Sequence, residues 1–216
     1  MEPEKEKNTI SLTDVANVKE ALEIHTLRNC KYLLEWEQAT GTISPNYQEV
    51  LEEARQDLII NQNEWNEEEL KMNFISVVFR ASHVEVPHKI KLFYERPLSG
   101  ILQGYEFSII CDCMIATPTL GGRPKFPYFF LQEFKKSKGD RIDAEAQALI
   151  AMLLAQEENK DNKPIYGAWL IGESWTFTVL NGKEYCVSKQ YLATNPDDLT
   201  KIVYMLQYLK TLILNR

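Results

Sequence analysis

The apolar run Tyr128-Phe129-Phe130-Leu131 leads into Gln132-Glu133-Phe134-Lys135, and Asp112 lies upstream in the strand-like segment Phe107-Ser108-Ile109-Ile110-Cys111-Asp112-Cys113-Met114-Ile115. Extended segments apolar on both faces belong in a sheet that is covered on both sides. Unpaired charges in such a sheet cost several kcal/mol each. Asp112, Glu133 and Lys135 therefore need partners, a bound cation, or a place at the sheet's rim. Strand alternation puts Glu133 and Lys135 on the side of Phe129 and Leu131. Two strand-borne carboxylates with a lysine two residues along form a compact site for a hard divalent cation, which outlines metal-assisted phosphodiester chemistry.

The rest of the chain supplies elements to surround that sheet. Residues 11 to 38 are expected to be helical, with Leu22, Thr26, Cys30, Leu33 and Leu34 on a buried face and Thr40-Gly41 as a stop. A second helix is expected over Pro45 to Leu58. A third starts at Asn66, an N-cap with Glu69 at the capping-box position, and continues through Leu70, Phe74, Val77 and Val78 at helical spacing. Strands are expected over Lys89 to Tyr94, Tyr105 to Ala116 and Pro127 to Lys135, the last two separated by a turn over Thr117 to Pro124. Gly121-Gly122 precedes a strand and lacks a following Lys-Ser/Thr, so it is not a phosphate loop.

Beyond Gly139, Ile142 and the segment from Asp143 to Ala155 place Ile142, Ala146, Leu149, Ile150 and Leu153 on one stripe, a helix packed on the sheet. Strands follow at Ile165 to Leu170 and Trp175 to Leu180, with Asn181-Gly182 as a type I′ hairpin signal into Tyr185-Cys186-Val187. Trp169 and Trp175 sit in apolar strands and are expected in the core. A last helix, Asp197 to Leu214, has an apolar stripe wide enough to dock on the domain or on a second copy of the chain.

Asp112 followed by Glu133-x-Lys135 resembles the PD-(D/E)XK motif of the restriction-endonuclease-like nuclease superfamily, and the whole chain is similar to bacterial proteins with that core. The resemblance covers roughly residues 65 to 190: an acidic helix, a strand with the Asp, a strand with the Glu-x-Lys, and a helix directly after. Cys111 stands where a proline often precedes the Asp, and Ala151 where some related families have a tyrosine four residues after a helical Gln, here Gln147. The resemblance implies an α/β fold, a restriction-endonuclease-like mixed sheet flanked by helices. Residues 1–64 would be a helical segment packed on a nuclease-like core at 65–216, with the whole forming one structural domain. It implies catalysis by Asp112, Glu133 and Lys135, with Mg²⁺ or Mn²⁺ held by Asp112, Glu133, the Phe134 carbonyl and an acidic residue of the preceding helix. Glu67 is the first choice for that last ligand and Glu68 the second. Any first helical turn favours carboxylates for its macrodipole, so both also have a purely structural role open to them.

Composition bears on the partner. The 216 residues are 44% hydrophobic and 25% charged, enough for one sizeable core. No apolar stretch approaches a membrane span, the charged first residues lack a signal-peptide centre, and four scattered cysteines make no disulfide framework. A cytoplasmic protein without membrane contact is expected. The net charge of −7 arises in residues 1–70, which hold 16 acidic against 6 basic residues. Around the motif, Arg123, Lys125, Lys135, Lys136, Lys138 and Arg141 face only Glu133 and Asp140. Arg123, Lys125, Lys136, Lys138 and Arg141 are the candidate nucleic-acid contacts, with DNA the expected partner and a homodimer an open alternative. His25, His83 and His88 lack zinc-ligand spacing, and Cys111 and Cys113 are expected to pack on the face opposite Asp112. Two other functions stand beside the nuclease: a non-enzymatic binding or assembly protein in which Glu133 and Lys135 form a structural ion pair, and a metal-dependent hydrolase of a small phosphate ester.

Overall fold

The computed structural model describes residue 11 and residues 14–135 and 143–216. In chain order the elements are α1 (Val15–Ala21), β1 (His25–Leu27), α2 (Lys31–Glu37), α3 (Pro45–Asn61), α4 (Glu67–Leu70), a π-helical turn (Lys71–Ile75) and α5 (Ser76–Ser82). There follow β2 (Lys91–Leu102), β3 (Tyr105–Pro118), β4 (Pro124–Lys135), α6 (Ala144–Asn159), β5 (Ile165–Ile171), β6 (Ser174–Asn181), β7 (Glu184–Leu192) and α7 (Pro196–Leu214). The strands form one mixed seven-stranded sheet in the order β1-β7-β6-β5-β4-β3-β2. Pairing is parallel at β1–β7 and β4–β5 and antiparallel elsewhere.

Two apolar clusters cover the sheet's faces. On one, α2, α3, the α4–α5 segment and α7 pack over Cys113, Ile115, Phe130, Phe134, Trp175 and Phe177. On the other, α1 and α6 pack over Phe107, Met114, Leu131, Ile165, Leu180 and Tyr185. Helix α6 is the crossover between the parallel strands β4 and β5, and its residues from Ala148 to Ala155 are all buried. A crossover helix pressed onto the sheet and covered by α1 has little polar surface to offer. No helix among the described residues is long and apolar enough to cross a membrane.

The expected continuous helix over residues 11 to 38 does not form. It is two short helices with strand β1 between them, and the reason is spatial: Val18 and Leu22 belong to one face of the sheet, Leu33 and Trp36 to the other. No single helix can serve both faces. The chain turns at Glu23, which has φ 54°, and crosses the sheet edge as β1, parallel to β7. The Asn66 capping box forms as expected, with the side chain accepting from the Glu69 N–H at 2.9 Å and Glu69 accepting from the Asn66 N–H at 2.7 Å. Asn66→Ala should cost about 1 kcal/mol in urea melts and Asn66→Ser markedly less, since serine keeps the acceptor.

The hairpin β6–β7 turns one residue later than the sequence signal. Asn181 pairs with Glu184, so Gly182 and Lys183 form the loop. Only Gly182 has a positive φ, 64°, which is the type II′ pattern rather than type I′. Trp175 is fully buried and Trp169 is 8% exposed, both in the core.

Candidate active site

The site forms where β3 and β4 separate. Their antiparallel pairing runs as far as Cys113 opposite Gln132, whereas β4 continues in parallel with β5 to Lys135 opposite Ile171. Beyond the last β3–β4 pair, the backbone of β4 loses its neighbour on that side. The Asp112 side chain replaces it: Oδ2 accepts the Phe134 N–H at 2.8 Å. Asp112 and Glu133 thus sit on adjacent strands, one step past the end of the ladder.

A β-bulge precedes this point. Ile115 pairs with Phe130 but Ala116 pairs with Tyr128, so Phe129 is the extra residue. Phe129 and Phe130 both enter the α2/α7-side cluster, and Leu131 enters the opposite one. The expected common side for Phe129 and Leu131 is corrected accordingly. The two cysteines are also corrected, since Cys111 and Cys113 contribute to opposite clusters instead of sharing one face. Strand β3 departs from simple alternation at Asp112, and the Cys111 Sγ contacts the Cys113 carbonyl at 3.0 Å. Burial raises both thiols well above their ordinary pKa, so they are inert packing groups.

Glu133 is 1% exposed, and its carboxylate oxygens make no hydrogen bond of ordinary geometry, although the side chain and backbone of Asp112 lie beside them. Burial, and next the Asp112 charge, push its carboxyl well above the usual range, with Lys135 opposing. Lys135 lies 3.8 Å from Glu67 Oε1, at the start of α4. That contact places Glu67 beside the motif and makes it, not Glu133, the ion-pair partner of Lys135 among the described residues.

The structure adds two residues that the sequence reading passed over. Lys71, only 7% exposed, donates to Glu68 Oε1 at 2.9 Å, to Glu95 Oε1 at 2.5 Å and to Asp112 Oδ1 at 3.3 Å. Its ammonium also lies 5.7 Å from the centre of the Phe134 ring. Burial by itself favours the neutral amine, but Glu95 and Glu68, with Asp112, outweigh it and hold Lys71 protonated above its ordinary range. Lys71 had a legible signal: three residues before Phe74 and seven before Val78, it falls on the apolar face of its helix. Glu95, in the long edge strand β2, had none.

The other candidates are dispersed. Glu68, the second choice for a metal ligand, is bound to Lys71. At the start of α6, which follows the motif strand, Glu145 is paired with Lys19 at 2.7 Å and the Gln147 Oε1 is buried, so neither polar side chain is turned to the site by a contact with it. Arg123 and Lys125 are exposed at the opposite end of β4. Lys125 is ten residues from Lys135 along the strand, roughly 33 Å in an extended chain. Among the described residues of the basic run, Arg123 and Lys125 are therefore far from Lys135 in space. Lys136, Lys138 and Arg141 lie outside the described residues.

The donor set fits a divalent cation in one respect and resists it in another. Glu133 presents two buried oxygens with no partner beside a second carboxylate, and a nearby positive charge would relieve that arrangement. Among the described residues, however, no three His, Cys, Asp or Glu side chains are already grouped to hold a metal. Asp112 is also engaged, one of its oxygens accepting the Phe134 N–H and the other the Lys71 ammonium. No family model matches the chain, and no curated protein matches it.

Proposed function

We propose that the protein is a metal-dependent nuclease with a restriction-endonuclease-like core, hydrolysing nucleic-acid phosphodiester bonds at the cleft between β3 and β4. The observation that carries this reading is Glu133, whose buried and unpartnered carboxylate stands next to Asp112. Leaving a carboxyl buried in this way costs several kcal/mol, and a bound cation would offset that cost. Asp112 and Glu133 would hold Mg²⁺ or Mn²⁺, with Glu67 and the Phe134 carbonyl as further oxygen donors. The bound ion would supply charge at the phosphate and a more acidic water. Lys135, 16% exposed at its side chain, is reachable by substrate at the end of β4. Its ammonium would orient the attacking water and stabilise charge on the phosphate oxygens. The pairing with Glu67 holds it in place before substrate arrives. DNA is the proposed substrate. A duplex reaching from Lys135 to Lys125 would span about ten base pairs.

The test is calorimetric titration of Mn²⁺ into wild type and Asp112→Asn, with cleavage of plasmid and single-stranded DNA measured in parallel. Wild type should bind and cleave. Asp112→Asn keeps an acceptor for the Phe134 N–H, so it should fold, bind Mn²⁺ at least about tenfold more weakly and lose cleavage. Absence of Mn²⁺ binding and of cleavage in wild type would sink the proposal.

The alternative of a non-enzymatic binding or assembly protein draws support from a different observation. Lys71 already ties Asp112 into a satisfied ionic network with Glu68 and Glu95, as a structural role requires.

A further inference from the structure

The geometry points to Lys71 as a tethered cation that competes with divalent metal for Asp112, an inference that rests on the metal-dependent reading above. The Lys71 ammonium is held by three carboxylates, Glu68, Glu95 and Asp112, as a small cation would be. It also occupies the Asp112 oxygen that is not taken by the Phe134 N–H. The neighbouring Glu133 is buried with no cation on it, so one carboxyl of the proposed site already holds an ammonium and the other holds none.

Two departures from regular backbone meet at this lysine. The helix carrying it passes into a π-helical turn that begins at Lys71 itself and ends at Ile75. Such turns hold an extra residue and shift the side chains before and after them relative to a regular helix. In β2, Glu95 has φ 50°, a left-handed conformation unusual for a non-glycine residue inside a strand. Side chains displaced from regular positions on two elements therefore converge in one contact, Lys71 to Glu95. A π-helical turn and a left-handed non-glycine residue each recur at functional positions.

The partners also differ in a way that suits exchange. The Glu68 side chain is 72% exposed and that of Glu95 52%, whereas that of Asp112 is 13% exposed. The lysine can leave the buried carboxylate and stay bound to the two solvated ones, a short swing on a flexible stem that costs it little. In the metal-free protein Lys71 neutralises Asp112. When a divalent ion loads between Asp112 and Glu133, Lys71 withdraws toward Glu68 and Glu95.

The experiment uses the full-length wild-type protein and Lys71→Met. Brief amine acetylation followed by mass spectrometry reports how accessible Lys71 is with and without saturating Mn²⁺, with Lys19 as an ion-paired reference away from the site. Calorimetry measures Mn²⁺ affinity in both proteins. Acetylation of Lys71 should rise severalfold on Mn²⁺ loading while Lys19 is unchanged. Mn²⁺ should bind Lys71→Met roughly tenfold or more tightly than wild type, the order expected when a competing unit charge is removed from a partly buried site. Binding by Lys71→Met alone would overturn the exchange, because wild type would then never load the ion. Equal affinities with unchanged Lys71 reactivity would overturn the competition and leave the metal site intact. No Mn²⁺ binding in either protein would overturn both.

Discussion

Glu133→Gln should be more stable than wild type in metal-free buffer above neutral pH while losing metal-dependent cleavage by about 100-fold or more. Burial and the Asp112 charge hold the Glu133 carboxyl above its ordinary pKa, so the folded state keeps a proton that the unfolded chain releases near pH 4.3. The sign follows from proton binding. Between the unfolded and folded pKa values the native state binds more protons, so stability falls as pH rises through that window and is fully present only below it. Each unit of separation is worth about 1.4 kcal/mol. Gln has no proton to lose, and its amide can donate toward Asp112. The difference in unfolding free energy between the two proteins should therefore grow from pH 5 upward in EDTA, as urea melts at successive pH values would record. A strongly destabilised Glu133→Gln, in a protein that never cleaves DNA in Mn²⁺, would favour the binding or assembly role over the nuclease.

Trp36→Ala should be the most damaging single truncation in the N-terminal segment, at about 3 to 5 kcal/mol. Trp36 is fully buried, donates its Nε1–H to the Met205 carbonyl at 2.7 Å, and stacks edge-on against Tyr166 and Phe177, each at 5.0 Å, and Phe130 at 6.3 Å. Those partners lie on β4, β5, β6 and α7, so one side chain from α2 joins the segment to the centre of the sheet. Truncation would remove a large apolar surface and leave a buried carbonyl without its donor. The variant should still melt in a single transition with a lower urea midpoint, because residues 14–64 share a core with the rest. Two separable transitions in wild type would contradict this.

The sequence was informative wherever a short segment settles its own conformation. The Asn66 capping box, the helix after Pro45, the helix following Asp143 and the paired apolar strands around Asp112 and Glu133 are local patterns, and each forms. Register was less accessible. The type II′ turn at Gly182-Lys183 and the bulge at Phe129 depend on how two strands pair, a property that neither strand contains alone. The N-terminal segment misled because a helical period cannot reveal that Leu22 and Leu33 face opposite sides of one sheet.

For the site, residue types and spacing along the chain were enough to select Asp112, Glu133 and Lys135, because charge in an apolar strand is conspicuous on solvation grounds alone. The acidic turn ahead of Lys71 was visible too. Tertiary structure alone decided which charges meet. It separated β3 from β4 past Gln132, left Glu133 without a partner, joined Lys135 to Glu67, and brought Lys71 and Glu95 onto Asp112. It also carried Lys125 to the far end of β4. Ion pairs act over a few ångströms through space, and the Lys71–Glu95 and Lys71–Asp112 contacts join positions 24 and 41 residues apart, distances at which chain order carries no record of contact.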